Sequence, residues 1–256
     1  MAETVLRLRE VGVRYRTPAG SVTAVSEVSL DVPATGITVL AGPSGSGKST
    51  LLRVLSLVER PTLGAVELRG RGTTGLSARA RRALRRTEVA LVFQNPGDNL
   101  IGHLTVGDNL RAATQAARRT PRTTPLPPQA TRTTPQATTT PPRTTPPPPQ
   151  ATDRIAGVDE LLDQLGLPGT ADWKVSALSG GQQQRLAFGC ALARGASVVL
   201  ADEPTSQLDA ASADLVLDTL RDLAARGVPV VVASHDPRLI ALADTRFDLR
   251  NGALAA

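Results

Sequence analysis

An α/β domain built on a parallel sheet is the fold class this sequence predicts, and three observations predict it. Short, uniformly apolar runs recur along the chain: Ile37-Thr38-Val39-Leu40-Ala41, Val89-Ala90-Leu91-Val92-Phe93, Val198-Val199-Leu200-Ala201 and Val230-Val231-Val232-Ala233-Ser234. Runs of this length and composition suit strands covered on both faces. The first run leads straight into a glycine-rich loop and a helix. The others deliver Gln94, Asp202-Glu203 and His235 to their ends, and the carboxyl ends of such strands are where open α/β sheets bind ligands.

The glycine-rich loop is Gly42-Pro43-Ser44-Gly45-Ser46-Gly47-Lys48-Ser49-Thr50, followed by the helical Leu51-Leu52-Arg53-Val54-Leu55. Its form is G-x-x-x-x-G-K-S, set between a strand and a helix, where that pattern acts as a phosphate cradle. Its glycines let backbone N–H groups curl around phosphate oxygens, and the helix adds its positive end to the same anion. Lys48 is expected to reach the β- and γ-phosphates of a nucleotide, and the Ser49 hydroxyl to be a ligand of Mg²⁺.

The strand ending in Asp202-Glu203 narrows the chemistry. Asp202 is expected to hold Mg²⁺ through water, and Glu203 to polarise the water that attacks the γ-phosphate in line. An Asp-Glu pair alone is an ordinary solvated strand end, but here Pro204-Thr205-Ser206-Gln207-Leu208-Asp209 follows it directly. Between the Gln94 loop and this strand stands Leu178-Ser179-Gly180-Gly181-Gln182, continued by Gln183-Gln184-Arg185. Ser-Gly-Gly by itself is a common turn. At a helix start it presents a hydroxyl and free N–H groups, a second anion site.

With these residues in this order, the chain resembles the nucleotide-binding subunit of an ATP-binding-cassette (ABC) transporter. The resemblance implies a P-loop NTPase cassette with a RecA-like core, an antiparallel β subdomain and a helical signature subdomain. It implies an ATPase that takes ATP and Mg²⁺, with the signature Leu178–Gln182 facing the nucleotide of the opposite protomer and Asp209 completing that interface. Gln94 then touches Mg²⁺ and the attacking water, its loop faces a membrane partner, and His235 senses the γ-phosphate. Tyr15 lies where the family places an aromatic that stacks on adenine; an amphipathic residue on an edge strand is the alternative. His103 has no such station and is read as an ordinary loop residue. The family's Ala-Leu-Asp or Asn-Leu-Asp is Gln207-Leu208-Asp209 here, a departure that keeps the aspartate. Every catalytic station is filled, so a homodimer has two competent sites; pairing with a different cassette gives a heterodimer.

Composition fits one domain of 256 residues, with a helical subdomain over about 95–195. No apolar run approaches the ~20 residues that span a bilayer, and the N-terminus lacks the pattern of a secretion signal. Membrane passage is therefore expected to belong to an integral permease subunit, with this chain cytoplasmic and peripheral on the inner face of the cell membrane. The single cysteine, Cys190, is expected to be a small core hydrophobe.

The sequence pI of about 10.8 has a local source. Residues 111–152 hold six arginines and no Asp or Glu, equal to the whole formal net charge of +6, so the rest balances to zero. Within this stretch Arg122-Thr123-Thr124-Pro125-Leu126-Pro127-Pro128-Gln129-Ala130-Thr131 recurs at 143–152 with one change, Leu126 becoming Pro147. A Pro/Thr/Arg-rich repeat with almost no apolar side chains cannot offset the entropy of folding. It is read as a disordered insertion over about 112–153 in a surface loop, with weak contact between its arginines and anionic lipid as a functional reading. Nucleic acid is not expected as a partner. A DNA-repair relative would need a coiled-coil insertion, and a ribosomal one two cassettes in the chain.

The nearest subgroup by local similarity is the ATPases of lipoprotein-releasing and macrolide-export systems, on Phe93-Gln94, Asn99-Leu100-Ile101, Leu104-Thr105-Val106 and Asn109. A cassette regulating a cell-wall or division complex shares these motifs and differs in partner.

Overall fold

The computed structural model describes residues 3–18, 20–119 and 157–255. Its centre is a six-stranded sheet in the order β10-β9-β3-β8-β7-β6. β3 (Ile37–Ala41), β6 (Val89–Val92), β7 (Val198–Asp202), β8 (Val230–Ser234) and β9 (Thr245–Arg250) run parallel; β10 (Ala253–Leu254) closes one edge antiparallel to β9. The four apolar runs of the sequence are thus strands, and β3 and β8 are buried along their whole length. Both faces are covered because side chains alternate sides along a strand. Leu40, Val198, Leu200, Val231 and Ala233 pack with α1 (Lys48–Leu55) and the antiparallel sheet, whereas Val39, Val199, Ala201, Val230 and Val232 pack with the other helices.

The antiparallel sheet has the order β2-β1-β4-β5, made of β1 (Thr4–Thr17), β2 (Gly20–Pro33), β4 (Leu63–Leu68) and β5 (Arg71–Gly72). Val5, Leu6, Leu8, Val11 and Val13 bury the inner face of β1 against Leu51, Leu52 and Leu55 of α1. This contact sets the antiparallel sheet over the phosphate-loop helix. α2 (Ala78–Thr87) follows β5, with Ser77 Oγ accepting from the Ala80 N–H as its cap.

The helical part is built from α3 (Val106–Arg119), α4 (Val158–Gln164) and α5 (Gly180–Ala193), and α6 (Ala210–Ala225) and α7 (Pro237–Ala241) follow β7 and β8. Helix α5 is buried on most of its faces, and its Phe188 is fully enclosed. Its Arg185 donates to the Leu165 carbonyl at 2.8 Å, tying α5 to the end of α4. One boundary is corrected: residues 112–119, placed in the insertion on sequence grounds, continue α3. Ala112, Ala113, Gln115, Ala116 and Ala117 are strong helix formers, and Leu110 and Ala113 belong to the core beneath them. The rest of the repeat segment lies outside the described residues.

Cys190 packs against this core. Burial pushes its thiol up to about 12, with nearby Arg194 pulling the other way. Against an ordinary thiol near 9 this lowers the thiolate fraction about a thousandfold at neutral pH. Iodoacetamide is expected to label Cys190 slower by about that factor in the native chain than in denaturant; equal rates would mean that the thiol is exposed.

Candidate functional site

The carboxyl ends of β3, β6, β7 and β8 converge on one spot, and the polar residues predicted there meet. The loop after β3 is closed by backbone geometry that only glycine carries without strain at Gly42 (φ +149), where a Cβ would lie 2.3 Å from the Leu249 carbonyl oxygen. Lys48, only 5 % exposed, folds back over the loop and donates to the carbonyls of Gly42 (2.8 Å) and Pro43 (3.0 Å). Ser46 Oγ is buried and has no hydrogen-bond partner among the described residues. A loop with a held ammonium, a spare hydroxyl and a helix N-terminus is an anion cradle that fits a nucleotide's phosphates.

Across the loop, Ser49 Oγ donates to Asp202 Oδ1 at 2.9 Å. Burial raises the Asp202 carboxyl above the usual carboxylate range, against the lowering effect of the Ser49 hydrogen bond; neighbouring Glu203 raises it further. A hydroxyl and a carboxylate paired in this way are hard oxygen donors of the kind Mg²⁺ takes. A cation here would also favour the ionised form that burial opposes.

Glu203 is the hub of the site. It has left-handed backbone geometry (φ 43), a conformation a non-glycine residue keeps only where its surroundings enforce it. Those surroundings are visible: its N–H donates to the Ala233 carbonyl (2.9 Å), and its own carbonyl accepts from the Ser206 N–H (3.2 Å) and Ser206 Oγ (3.0 Å). The carboxylate accepts from Ser234 Oγ at Oε2 (3.0 Å), while Oε1 lies 2.9 Å from His235 Nδ1 and 3.7 Å from Lys48 Nζ. Phosphate-loop lysine, strand-end glutamate and histidine, from three separate strands, therefore form one cluster.

Gln94 stands at its margin. Its Nε2 donates to Ser206 Oγ at 3.0 Å, so it reaches Glu203 through Ser206. The loop after Gln94 is pinned by Asn99, whose side chain accepts from the Phe93 N–H and donates to the Leu91 carbonyl, and by Asn109, which brackets Ile101. Tyr15 is 36 % exposed, and its hydroxyl donates to Glu59 Oε2 at 2.8 Å. Although β1 lies between β2 and β4, its Tyr15 stretch pairs with β2 alone, so Tyr15 is a partly exposed ring on a strand end paired on one side only.

The signature segment opens helix α5. Ser179 caps α5 in a reciprocal capping box: its Oγ accepts from the Gln182 N–H (3.3 Å), and Gln182 Oε1 accepts from the Ser179 N–H (2.9 Å). Gly181 is required by packing, because a Cβ would stand 2.8 Å from the Ser212 Cβ of α6. Asp209 caps α6, accepting from the Ser212 N–H and hydroxyl. These hydrogen bonds, first to the Ser212 backbone and then to its side chain, lower the Asp209 carboxyl. Leu178–Gln182 and Asp209 thus share a face at the α5–α6 N-termini, where Gly181 lies against Ser212.

His103 is a loop residue, as expected; its carbonyl accepts from Lys174 Nζ at 3.1 Å. Sequence reasoning missed Ser206 and Ser234, which hold the hub. Their signal was their position, three residues after Glu203 and one before His235.

Comparison with known proteins gives this arrangement its family. The model of the ABC transporter family matches residues 25–206. The chain is 34 % identical over 259 residues to the macrolide export ATP-binding/permease protein MacB 1/2 of Paracoccus denitrificans (strain Pd 1222), covering 100 % of this chain and 34 % of that protein. It is 32 % identical over 248 residues to MacB of Salmonella paratyphi A (strain ATCC 9150 / SARB42), covering 97 % and 33 %. The chain spans about a third of the length of the curated relatives it matches. Among solved structures, the dimeric post-hydrolysis state of the ATP-binding cassette MJ0796 bound to ADP and Pi aligns with TM-score 0.75 and 28 % identity, over 98 % of this chain and 97 % of that one. Phosphate loop, acidic strand end and signature in this order, on this fold and with these relatives, mean that the chain belongs to the ABC transporter family and is an ATP-hydrolysing cassette.

Proposed function

We propose that the cassette dimerises on ATP and drives a membrane permease of the exporter or lipoprotein-releasing kind. The observation that carries this is the Glu203 hub, where one strained residue is held between Lys48, Ser234 and His235. A carboxylate fixed this way can accept a proton from water while the lysine beside it meets phosphate charge. Lys48 leaves the Gly42 and Pro43 carbonyls for the β- and γ-phosphates, and the loop N–H groups take the remaining oxygens. Ser49 and Asp202, joined by Gln94, would hold Mg²⁺, which neutralises charge on the transferring phosphate. Glu203 directs water and His235 orients it. Tyr15 offers its ring to adenine.

The placement of Leu178–Gln182 and Asp209 together at the α5–α6 N-termini supports a head-to-tail dimer, in which each protomer's signature completes the partner's site. The solved relative MJ0796 is dimeric, and the curated relatives are named for macrolide export and carry ATP-binding and permease parts. For the membrane partner, the structure offers a groove of about 390 Å³ between sheet and helices, lined by Val58, Phe93, Ile101 and Ala113 among others. Phe93, Ile101 and Val58 expose 36, 42 and 46 % of their surface there, and Gln94 adjoins it. Among the described residues no helix is long and apolar enough to cross a membrane, so the proposed place of the cassette is peripheral, on the inner face of the membrane.

The test is capture of the tagged chain from mildly solubilised membranes, as wild type and as Glu203→Gln, with mass spectrometry of co-purifying proteins. A permease with a large extracytoplasmic domain is the expected result. Cell-wall hydrolases or division proteins, or no membrane protein, would replace this reading with a regulatory one.

A further inference from the structure

Helix α2 carries five arginines in ten residues, within an interval, 68–87, that holds seven arginines and no Asp or Glu. The helix sorts them by its period. Arg81 and Arg85, four apart, turn inward, and each donates to the Leu57 carbonyl at 2.6 Å. Arg79, Arg82 and Arg86, spaced three and four apart, are exposed and form one outer stripe about 10 Å long. Among the described residues none of the three makes an ion pair. Glu88, just past the helix, is taken by Arg69 and by Ser197. The crowding is felt within the helix: Arg85 is lowered first by burial and then by Arg82, and Arg81 by burial and then by Arg60 and Arg85.

We propose that the Arg79, Arg82 and Arg86 stripe docks the cassette on an anionic phospholipid surface, its guanidinium groups donating to headgroup phosphates. The position of α2 selects this partner. Arg85 lines the groove offered above to the membrane partner, and the inner pair grips Leu57, whose neighbours Ser56 and Val58 line it too. The stripe therefore adjoins the side of the molecule assigned above to the membrane partner. Nucleic acid fits less well, because α2 and residues 68–77 before it hold no aromatic side chain on which a base could stack. The choice of lipid rests on the membrane-partner reading, but the stripe is tested without any permease.

The test is co-sedimentation of the full chain with vesicles of phosphatidylcholine alone and with phosphatidylglycerol, at low salt. The wild type is expected to bind only the anionic vesicles. Each arginine near such a surface multiplies affinity by about five, so Arg79→Gln, Arg82→Gln and Arg86→Gln together should weaken binding roughly 100-fold. Lysine at the same three positions should retain most of it, and ATPase activity in solution should not change. The single Arg82→Gln, expected to weaken binding about fivefold, keeps the idea testable if the triple variant misfolds. Absence of wild-type binding, binding indifferent to the glutamine variants, or tighter stripe-dependent binding to an oligonucleotide would each overturn the proposal.

Discussion

Glu203→Gln is expected to bind ATP as the unaltered chain does, to lose turnover by about 10²–10⁴-fold, and to accumulate as an ATP-bound dimer that the wild type only visits. The amide is nearly the same size, so it can stay in the left-handed turn that the Ala233 carbonyl and Ser206 hold. It can still accept from Ser234 through its remaining oxygen. It cannot take a proton from water, and it puts no negative charge beside Lys48, now 3.7 Å away. The loss therefore falls on the chemical step and spares binding. Single-turnover ATPase assays, with size-exclusion chromatography in ATP, measure both halves. Normal hydrolysis by the variant would remove Glu203 from its role and leave His235, with Nδ1 2.9 Å from the same carboxylate, as the group to examine.

Lys48→Ala is expected to weaken ATP binding by roughly 100-fold, the order set by losing charge-assisted hydrogen bonds at a buried site. The side chain is nearly enclosed and now satisfies two loop carbonyls, those of Gly42 and Pro43. Its removal leaves those acceptors unmet and takes the nearest cation from Glu203. Titration with a fluorescent ATP analogue reads the affinity, and a thermal melt without nucleotide checks that the loop still folds. Wild-type affinity in a folded variant would mean that the backbone cradle alone holds the phosphates. The two variants fail in opposite ways, since Glu203→Gln binds without turning over and Lys48→Ala fails to bind, and this separates the two ends of the hub.

Much of the site is legible in the sequence, for a definite reason. Phosphate binding by a loop needs glycines, a lysine and a hydroxyl at fixed spacing, so Gly42–Thr50 announces itself. The strands that deliver Gln94, Asp202, Glu203 and His235 are short apolar runs whose ends the sequence marks. The signature was legible as a helix start, and its Ser179 proves to be the cap of α5; that Asp209, read from the sequence as an interface residue, caps α6 was not. Nor was the α3 boundary, because arginine and alanine suit a helix and a linker alike, and only the core under Leu110 and Ala113 settles it.

Ser206 and Ser234 belong to that second kind. Each is an unremarkable serine in the sequence, and each matters because folding sets its hydroxyl 3.0 Å from a different part of Glu203. The two faces of α2 are a third case: the sequence presents one run of arginines, and only the placement of the Leu57 carbonyl divides it into a gripping pair and a free stripe. The sequence by itself determined the fold class, four of the parallel strands and the glycine-rich loop after the first of them, because local spacing fixes these. Tertiary structure alone decided which groups share the Glu203 hub and which charges stay unpaired, because contacts between residues far apart in the chain exist only once the sheet has brought its strand ends together.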